Sequence, residues 1–281
     1  MGWYASLVGW GARRAIPRPL RRPLYGAFSQ VVGADLAEAD RDPVEFRSFG
    51  EMFARRLRPG ARSFDLPADA LACPSDGALA VAGPLDGTTL VQAKGKHYTV
   101  GELLADDAAA AAYAGGWYCT IYLSPANYHR VHAPLDGEVV GYDYVPGAMW
   151  PVSRPFVRAV DGLFARNERA VIHLATAVGP IAVVMVGATG VGNLWLEHLG
   201  DDSRGWRADG ELRRIELSPR PTVRRGDELG AFLLGSTVVL LAPAGVVRPA
   251  AAGDAEGELV AGATLRCGQP LARVGAPGGR S

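Results

Sequence analysis

Residues 229–243 read LGAFLLGSTVVLLAP, two apolar runs divided by a Gly-Ser-Thr triplet at 235–237. Residues 170–196 read AVIHLATAVGPIAVVMVGATGVGNLWL, a second apolar stretch, which a Gly-Pro pair divides. By hydropathy alone residues 170–196 and residues 229–247 are each long enough to cross a membrane as a helix. Both are rich in Val, Ile or Leu, however, and both contain Gly or Pro where a helix would break. We therefore predict that each stretch forms a pair of buried strands in a β-rich fold.

The composition is typical of a globular chain. Its 281 residues are 48% hydrophobic and 21% charged, enough apolar material for a sizeable core. Lys plus Arg and Asp plus Glu each number 29, so no overall charge attracts nucleic acid, and we expect no such partner. Three widely spaced cysteines outside any CxxC pattern argue against a disulfide framework or a structural zinc site. We also expect no secretory leader, because no apolar region follows a basic start.

From about residue 70 onward, short Val-, Ile- and Leu-rich runs alternate with Asp-Gly, Gly-Pro and Pro-Gly turns. This pattern predicts an α+β fold with a predominantly antiparallel β body and short N-terminal helices. Residues 48–57 are predicted to be helical because apolar residues recur on one face. Residues 100–113 are predicted to contain a helix because an Ala-rich run follows Thr99, a capping residue type.

The N-terminal segment, residues 1–65, begins with a basic and aromatic stretch. Its first 34 residues hold no acid and contain Arg13, Arg14, Arg18, Arg21 and Arg22 among Trp3, Tyr4, Trp10, Tyr25 and Phe28. This composition favours a segment that lies on an anionic membrane surface. A second interpretation is a pair of helices that packs on the core while its arginines face water.

The sequence at Gly235-Ser236 suits cleavage of the chain by its own serine hydroxyl. Glycine adopts backbone conformations that are closed to other residues, and the Ser236 hydroxyl can attack the preceding carbonyl carbon to form an ester. β-Elimination would then cut the chain and leave dehydroalanine, which hydrolyses to an N-terminal pyruvoyl ketone. Because Lys94 and Lys96 are the only lysines, carbonyl–amine chemistry is better served by a carbonyl on the enzyme. The triplet is also compatible with an ordinary interruption between two strands.

Two histidines follow the strand-like run 118–123. Residues 124–134 read SPANYHRVHAP, so His129 and His132 come just after a strand end, where they offer a base and a proton donor near neutral pH. A metal pair or ordinary loop histidines are alternatives, although the sequence places no third metal ligand. Asp76, in a Pro-Ser-Asp-Gly turn, is a candidate to orient a histidine and stabilise its imidazolium. Otherwise it is a structural turn residue.

Taken in order, these motifs resemble those of the phosphatidylserine decarboxylase family. The matching stretches are FARRLRPGAR (53–62), CPSDG (73–77), KGKHYT (94–99), NYHRVHAP (127–134), VPGA (145–148), FARNER (164–169), and RGDELG (225–230) leading into LGST (234–237). The histidine and LGST motifs are the specific ones. The chain departs from the pattern at Asn193, where a small residue is expected, and its tail after Pro249 matches nothing in the family pattern.

The resemblance implies a carboxy-lyase that converts phosphatidylserine to phosphatidylethanolamine and carbon dioxide in phospholipid biosynthesis. Residues 66–281 would be the β-rich catalytic domain, cleaved into chains 1–235 and 236–281 that stay associated. The partners would be the substrate lipid and an anionic membrane surface, and the family suggests a homodimer. The expected location is the cytoplasmic side of the cell membrane, with the protein bound peripherally.

The resemblance also assigns roles to individual residues. Gly235–Ser236 would be the scissile bond, and a covalent pyruvoyl group derived from Ser236 would be the cofactor, with no metal. Ser236, His132 and Asp76 would form the self-cleavage triad, in which His132 moves the serine proton and Asp76 fixes the imidazole tautomer. His129 would assist decarboxylation.

Three other functions share parts of these motifs. A soluble pyruvoyl-dependent amino-acid decarboxylase would share the serine chemistry, but it gives the basic and aromatic N-terminus no use. A lipoyl-type carrier module would resemble residues 133–139, although Lys94 and Lys96 are poorly placed to carry its cofactor. A metal-dependent hydrolase would use His129 and His132 as ligands.

Overall fold

The computed structural model describes residues 11–93, 95–189, 194–232, 236–248 and 259–275, without the side chains of residues 201, 202 and 204. Several residues named above lie outside these ranges: Lys94, Asn193, the predicted scissile residue Gly235, and residues 249–258 and 276–281 of the tail. The predicted fold class is confirmed, since short helices accompany a mainly antiparallel β body.

The helices are short. They are α1 (Arg18–Val32), α2 (Phe49–Phe53), α3 (Val100–Leu104), α4 (Asp107–Ala110), α5 (Arg154–Ala159), α6 (Leu163–Arg166) and α7 (Arg204–Asp209), with 3₁₀ turns at Pro43–Glu45, Ala111–Tyr113 and Glu197–Leu199. No helix in the described part of the chain is long and apolar enough to cross a membrane.

Both predicted helices form, but each is shorter than predicted. α2 ends at Phe53 because the backbone beyond it bonds elsewhere: Arg58 N–H donates to the Glu38 carbonyl, and the Arg56 carbonyl accepts from Asp40 N–H. The second helix starts at the predicted cap, where the Thr99 side chain accepts from Glu102 N–H. It breaks at Ala105, which has a φ of 53°, and Asp106 then caps α4.

The described residues form eighteen strands in the β body. They are β1 (Ala70–Ala72), β2 (Gly77–Pro84), β3 (Thr89–Ala93), β4 (Lys96–Thr99), β5 (Trp117–Leu123), β6 (Arg130–His132), β7 (Gly137–Val145), β8 (Arg169–Thr176), β9 (Gly179–Gly187), β10 (Leu194–Leu196), β11 (Asp201–Asp202), β12 (Arg213–Glu216), β13 (Thr222–Val223), β14 (Glu228–Phe232), β15 (Ser236–Ala242), β16 (Val247–Arg248), β17 (Thr264–Leu265) and β18 (Pro270–Val274).

The largest sheet has nine strands in the order β12-β7-β8-β9-β15-β5-β2-β17, with β13 also paired to β7. A four-stranded sheet has the order β11-β10-β14-β6, a three-stranded sheet the order β1-β18-β16, and β3 pairs with β4. Strands β9 and β15 are buried along almost their whole length. Burial on both faces explains why their sequences are continuous apolar runs without a polar alternation.

The two apolar stretches form the predicted strands, but only the first pair is a hairpin. The pairing of β8 with β9 begins where Thr176 lies opposite Gly179 and continues along both strands away from that point. The predicted pairing within the second stretch is wrong: β15 lies between β9 and β5, whereas β14 lies between β10 and β6. Both edges of β15 are already hydrogen-bonded, so β14 has no edge to join. The chain therefore changes sheets between Phe232 and Ser236.

The N-terminal segment packs around a small cluster of its own, Tyr25, Ala39, Phe46 and Met52. The buried Tyr25 hydroxyl donates to the Phe46 carbonyl at 3.1 Å. One face of α1 is therefore held against the rest of the N-terminal segment.

Candidate active site

Ser236 is the first residue of β15 and is fully buried. It pairs with Leu123 of β5 on one side and with Gly187 of β9 on the other. A serine at this position has its backbone fixed by two neighbouring strands. Ser236 is thus the point at which the described chain enters a rigid central strand.

His129 contacts Ser236. Its Nδ1 lies 3.4 Å from Ser236 Oγ, and its Nε2 lies 3.0 Å from the Ser124 carbonyl oxygen. A carbonyl oxygen only accepts, so Nε2 carries the hydrogen and Nδ1 presents its lone pair to the serine hydroxyl. In this tautomer His129 is an acceptor for the Ser236 proton.

The surroundings of His129 keep its ring neutral. The ring is fully buried, and the Phe53 ring stacks on it with centroids 4.1 Å apart. Burial lowers the pKa of His129 to about 3, although the hydrogen bond to Ser124 opposes the shift, and the charge of Arg55 lowers the pKa further. His129 is therefore well placed to accept a hydrogen bond but poorly placed to hold a full positive charge.

His132 belongs to β6 and has different partners. Its Nδ1 lies 2.7 Å from the Gly226 carbonyl oxygen and so carries the hydrogen, and its Nε2 accepts from the Tyr128 hydroxyl at 2.9 Å. Burial lowers the pKa of His132, and the charge of Arg130 lowers it further, whereas the hydrogen bond to Gly226 and the charges of Asp76 and Asp227 oppose that shift. Of the two imidazoles, this one has carboxylates nearby that favour its charged form.

Asp76 is buried in an ion-pair network. The Arg62 guanidinium donates to both of its oxygens, from Nε at 2.8 Å and from Nη2 at 2.5 Å, and Cys267 N–H donates to it at 2.8 Å. Arg62 also pairs with Glu38 at 2.9 Å. The turn that carries Asp76 is tied to β6, because His132 N–H donates to the Pro74 carbonyl.

The four predicted site residues therefore fall into two groups. Ser236 and His129 are in direct contact. The side chains of His132 and Asp76 each hydrogen-bond to other residues. These two residues interact through the charge of Asp76 and through the backbone bond from His132 to Pro74, in the same turn as Asp76. The roles assigned to the triad stay predictions. No three His, Cys, Asp or Glu side chains in the described ranges group closely enough to hold a metal ion.

Two arginines of the motif at 53–62 lie at the site without having been predicted to belong to it. Arg62 anchors Asp76, as described above. Arg55 is buried, and its Nε and Nη1 have no hydrogen-bond partner in the described part of the chain. Burial lowers the pKa of Arg55. The signal available in the sequence was the number of arginines in a short stretch that also contributes Phe53 to the site.

Comparisons with known proteins agree with these motifs. The sequence model of the family described as "Phosphatidylserine decarboxylase" matches residues 49–273. A "Phosphatidylserine decarboxylase proenzyme" from Anaeromyxobacter sp. (strain K) is 43% identical over 264 residues, covering 94% of this chain and 91% of the relative. Proteins of the same name from Acidovorax ebreus (44% over 251 residues, 86% of both chains) and Legionella pneumophila strain Corby (39% over 274 residues, 96% and 93%) are similar to it as well.

Proposed function

This chain belongs to the phosphatidylserine decarboxylase family, and on that premise we propose that it converts phosphatidylserine to phosphatidylethanolamine and carbon dioxide with a pyruvoyl group made from its own Ser236. The predictions of the family and of a decarboxylase made as a proenzyme are confirmed. The position of Ser236 carries the proposal of the cofactor, because this buried serine begins a strand held between β5 and β9 and has an imidazole, that of His129, 3.4 Å from its hydroxyl.

Formation of the group would begin with Ser236 Oγ attacking the carbonyl carbon of the preceding residue. The bond from that carbon to the Ser236 nitrogen breaks, so the peptide becomes an ester and the nitrogen a free amine. Removal of the Ser236 α-proton then expels the carboxylate of Gly235, which cuts the chain and leaves dehydroalanine. Hydrolysis with loss of ammonia gives the ketone. A residue at the fixed end of a strand suits this sequence, since the hydroxyl cannot move away from its target.

We propose that His132 takes the serine proton, supported by Asp76, and that His129 serves the later reaction. Asp76 and Asp227 favour the imidazolium that proton transfer creates at His132, against the opposing charge of Arg130, whereas no carboxylate counters the effect of Arg55 among the causes of the shift at His129. For His132 to reach the hydroxyl, its hydrogen bond to Tyr128 must open. His129, which already faces Ser236, would position the substrate through a hydrogen bond and relay a proton to the carbon that has lost carbon dioxide.

The pyruvoyl group would supply an electron-accepting carbonyl for loss of the substrate carboxylate. The position of Ser236 suits such a group, because this first residue of β15 is buried and is flanked by two strands and His129. The cut would also leave the chains associated. Residues 236–242 pair with β5 and β9, and residues 264–265 and 270–274 pair with β2 and β1 of the larger chain.

We further propose that α1 lies on the cytoplasmic surface of the cell membrane as a peripheral attachment. Leu20, Leu24 and Val31 are 52%, 42% and 85% exposed, and their spacing places them on one face of the helix. Arg13 and Arg18 are exposed near the same helix and make no ion pair in the described part of the chain. An apolar stripe beside free cations suits an anionic lipid surface. Dimerisation stays a prediction from the resemblance.

Intact mass spectrometry of the denatured protein tests the proposed cofactor. We expect two chains that meet at Gly235–Ser236, with the smaller chain lighter than its sequence by the change from serine to pyruvoyl. Release of carbon dioxide from carboxyl-labelled phosphatidylserine by the same preparation tests the reaction. A single unmodified chain in active protein would end the proposal.

A further inference from the structure

A cavity of about 320 Å³ lies against the strand that Ser236 begins. Thr237, the next residue of β15, lines the cavity together with its cross-strand partner Tyr122. In the proposed reaction the ketone carbon is the former Cα of Ser236, and consecutive Cα atoms are about 3.8 Å apart. The cavity is therefore lined by the chain neighbour of the reacting carbon, on the face of the sheet opposite to the Ser236 side chain.

The cavity has an unsatisfied polar group at its inner wall. Thr237 is fully buried, and its Oγ1 has no hydrogen-bond partner in the described ranges. A buried hydroxyl without a partner is unfavourable, so its position on the cavity wall points to a polar ligand group. Most of the remaining wall is apolar, including Val152, Val157 and Phe164.

Two arginines lie on the opposite wall. Arg154 and Arg158 are one helical turn apart on α5, both are exposed, and both line the cavity. Neither makes an ion pair with any described residue. A Cβ placed on Gly262, another lining residue, would be 3.8 Å from Arg154 Nη2, so this guanidinium lies over the wall of the cavity.

The helix that carries them is held firmly. The buried Gln92 donates from Nε2 to the carbonyls of Val157 and Val160, both at 2.7 Å, and its Oε1 accepts from Leu163 N–H at 2.7 Å. Gln92 itself lines the cavity. The two guanidinium groups are thus presented by a fixed backbone, which reduces the entropy lost when they bind a ligand.

We infer that Arg154 and Arg158 bind the phosphodiester of the lipid substrate at the mouth of this cavity, while the serine headgroup extends inward past Thr237 to Ser236. This inference rests on the proposed function. Arginine matches the geometry of phosphate oxygens, and only a two-carbon unit and an oxygen separate the phosphorus from the reacting amine. The apolar walls would contact the glycerol and the first carbons of the acyl chains.

Steady-state kinetics of the full-length, self-cleaved enzyme on phosphatidylserine in detergent micelles test the inference. We expect Arg154→Gln/Arg158→Gln to cleave normally and to raise KM about tenfold with little change in kcat, because each lost contact to a charged phosphate weakens binding. Arg154→Lys/Arg158→Lys should recover part of the loss. Arg220→Gln, at an exposed arginine without an ion pair in the described ranges, is the matched control and should leave KM unchanged.

Binding to vesicles of phosphatidylcholine and phosphatidylglycerol separates substrate recognition from general attraction to an anionic surface. We expect the double Gln variant to bind these vesicles like the wild type. An equal loss of vesicle binding and of apparent substrate affinity would overturn the inference, as would an unchanged KM in a variant that is cleaved and folded. A wild-type chain that is uncut, or inactive on phosphatidylserine, would instead contradict the proposed function.

Discussion

Ser236 Oγ lies 3.4 Å from Nδ1 of His129, whose opposite nitrogen is held 3.0 Å from the Ser124 carbonyl oxygen. The imidazole is thereby fixed at both ends, and a ring flip would lose the hydrogen bond to Ser124. The serine at the start of β15 therefore always meets the same nitrogen in the same tautomer. This relationship makes the roles of the two histidines separable by experiment.

Ser236→Ala should leave the protein as one uncut chain of 281 residues without decarboxylase activity, because no hydroxyl remains to attack the preceding carbonyl. Its stability should change by less than about 1 kcal/mol, since the hydroxyl makes only one long hydrogen bond with the described residues. Intact mass and urea unfolding measure the two effects. The control is Ser75→Ala. The Ser75 hydroxyl is also buried but has no hydrogen-bond partner in the described ranges, and this variant should still be cut.

His132→Gln and His129→Gln should have opposite effects. We expect the first to stay uncut, because the imidazolium stabilised by Asp76 is lost. We expect the second to be cut but to decarboxylate at least about 100-fold more slowly, since general acid–base groups contribute on that order. The fraction of cut chain is read by gel and the rate by release of carbon dioxide. An uncut His129→Gln chain beside a cut His132→Gln chain would assign the base to the histidine that contacts Ser236.

Asp76→Asn and Arg62→Gln break the same buried ion pair from opposite sides. Each should lower the free energy of unfolding by about 3 kcal/mol, because each leaves a charge without its main partner, and the Tm should fall by several degrees. Only Asp76→Asn removes the carboxylate near His132, so only that variant should stop cleavage. If both variants were uncut, Asp76 would act by holding the fold and not by stabilising His132.

Acid should weaken the fold through His129. The unfolded side chain titrates near pH 6.5 and the folded one near 3, so below pH 6.5 the unfolded state binds a proton that the folded state does not. The free energy of unfolding therefore falls as the pH falls, by about 2 kcal/mol from pH 7 to pH 5 for this group. Urea unfolding of the uncut Ser236→Ala chain at both pH values measures the change. Adding His129→Gln should make the decrease in the free energy of unfolding smaller by about 2 kcal/mol. If the decrease were the same with and without His129, the lowered pKa would not belong to that residue.

Leu20→Ser/Leu24→Ser/Val31→Ser should reduce binding to anionic vesicles by about tenfold or more, because three exposed apolar side chains no longer enter the lipid. Chain cleavage should be unaffected. Leu212→Ser, at a residue 43% exposed outside α1, is the control and should bind vesicles normally. Vesicle sedimentation measures both. Equal binding by the triple variant would remove α1 from the membrane proposal.

Much of the β body could be predicted because burial on both faces leaves continuous apolar runs such as Ile181–Val186. The partners of a strand were harder to predict. Nothing local to residues 229–242 reveals that β9 and β5 occupy both edges of β15, since those strands come from distant parts of the chain. Residues 54–57 were wrongly predicted to be helical for a similar reason, because their extended partner, residues 38–40, is brought to them by the tertiary fold.

The site could be predicted in its residue types but not in its contacts. The motifs named Ser236, His129, His132 and Asp76, and the contact between Ser236 and His129 brings two of them together. The ion pair between Asp76 and Arg62 joins two motifs that are separate in the sequence. Such pairings depend on side-chain directions that neither periodicity nor spacing encodes.

The central position of β15 has a consequence for the maturation of the protein and for its recovery after unfolding. Ser236 acquires its fixed geometry only after residues 236–242 have inserted between β5 and β9, so the proposed cut acts as a check that the sheet has been completed. Once cut, the strand is no longer tethered to the chain that surrounds it. Unfolding then yields two molecules that must find each other again, so recovery becomes dependent on concentration. Maturation would thus record successful folding while giving up the ability to repeat it efficiently.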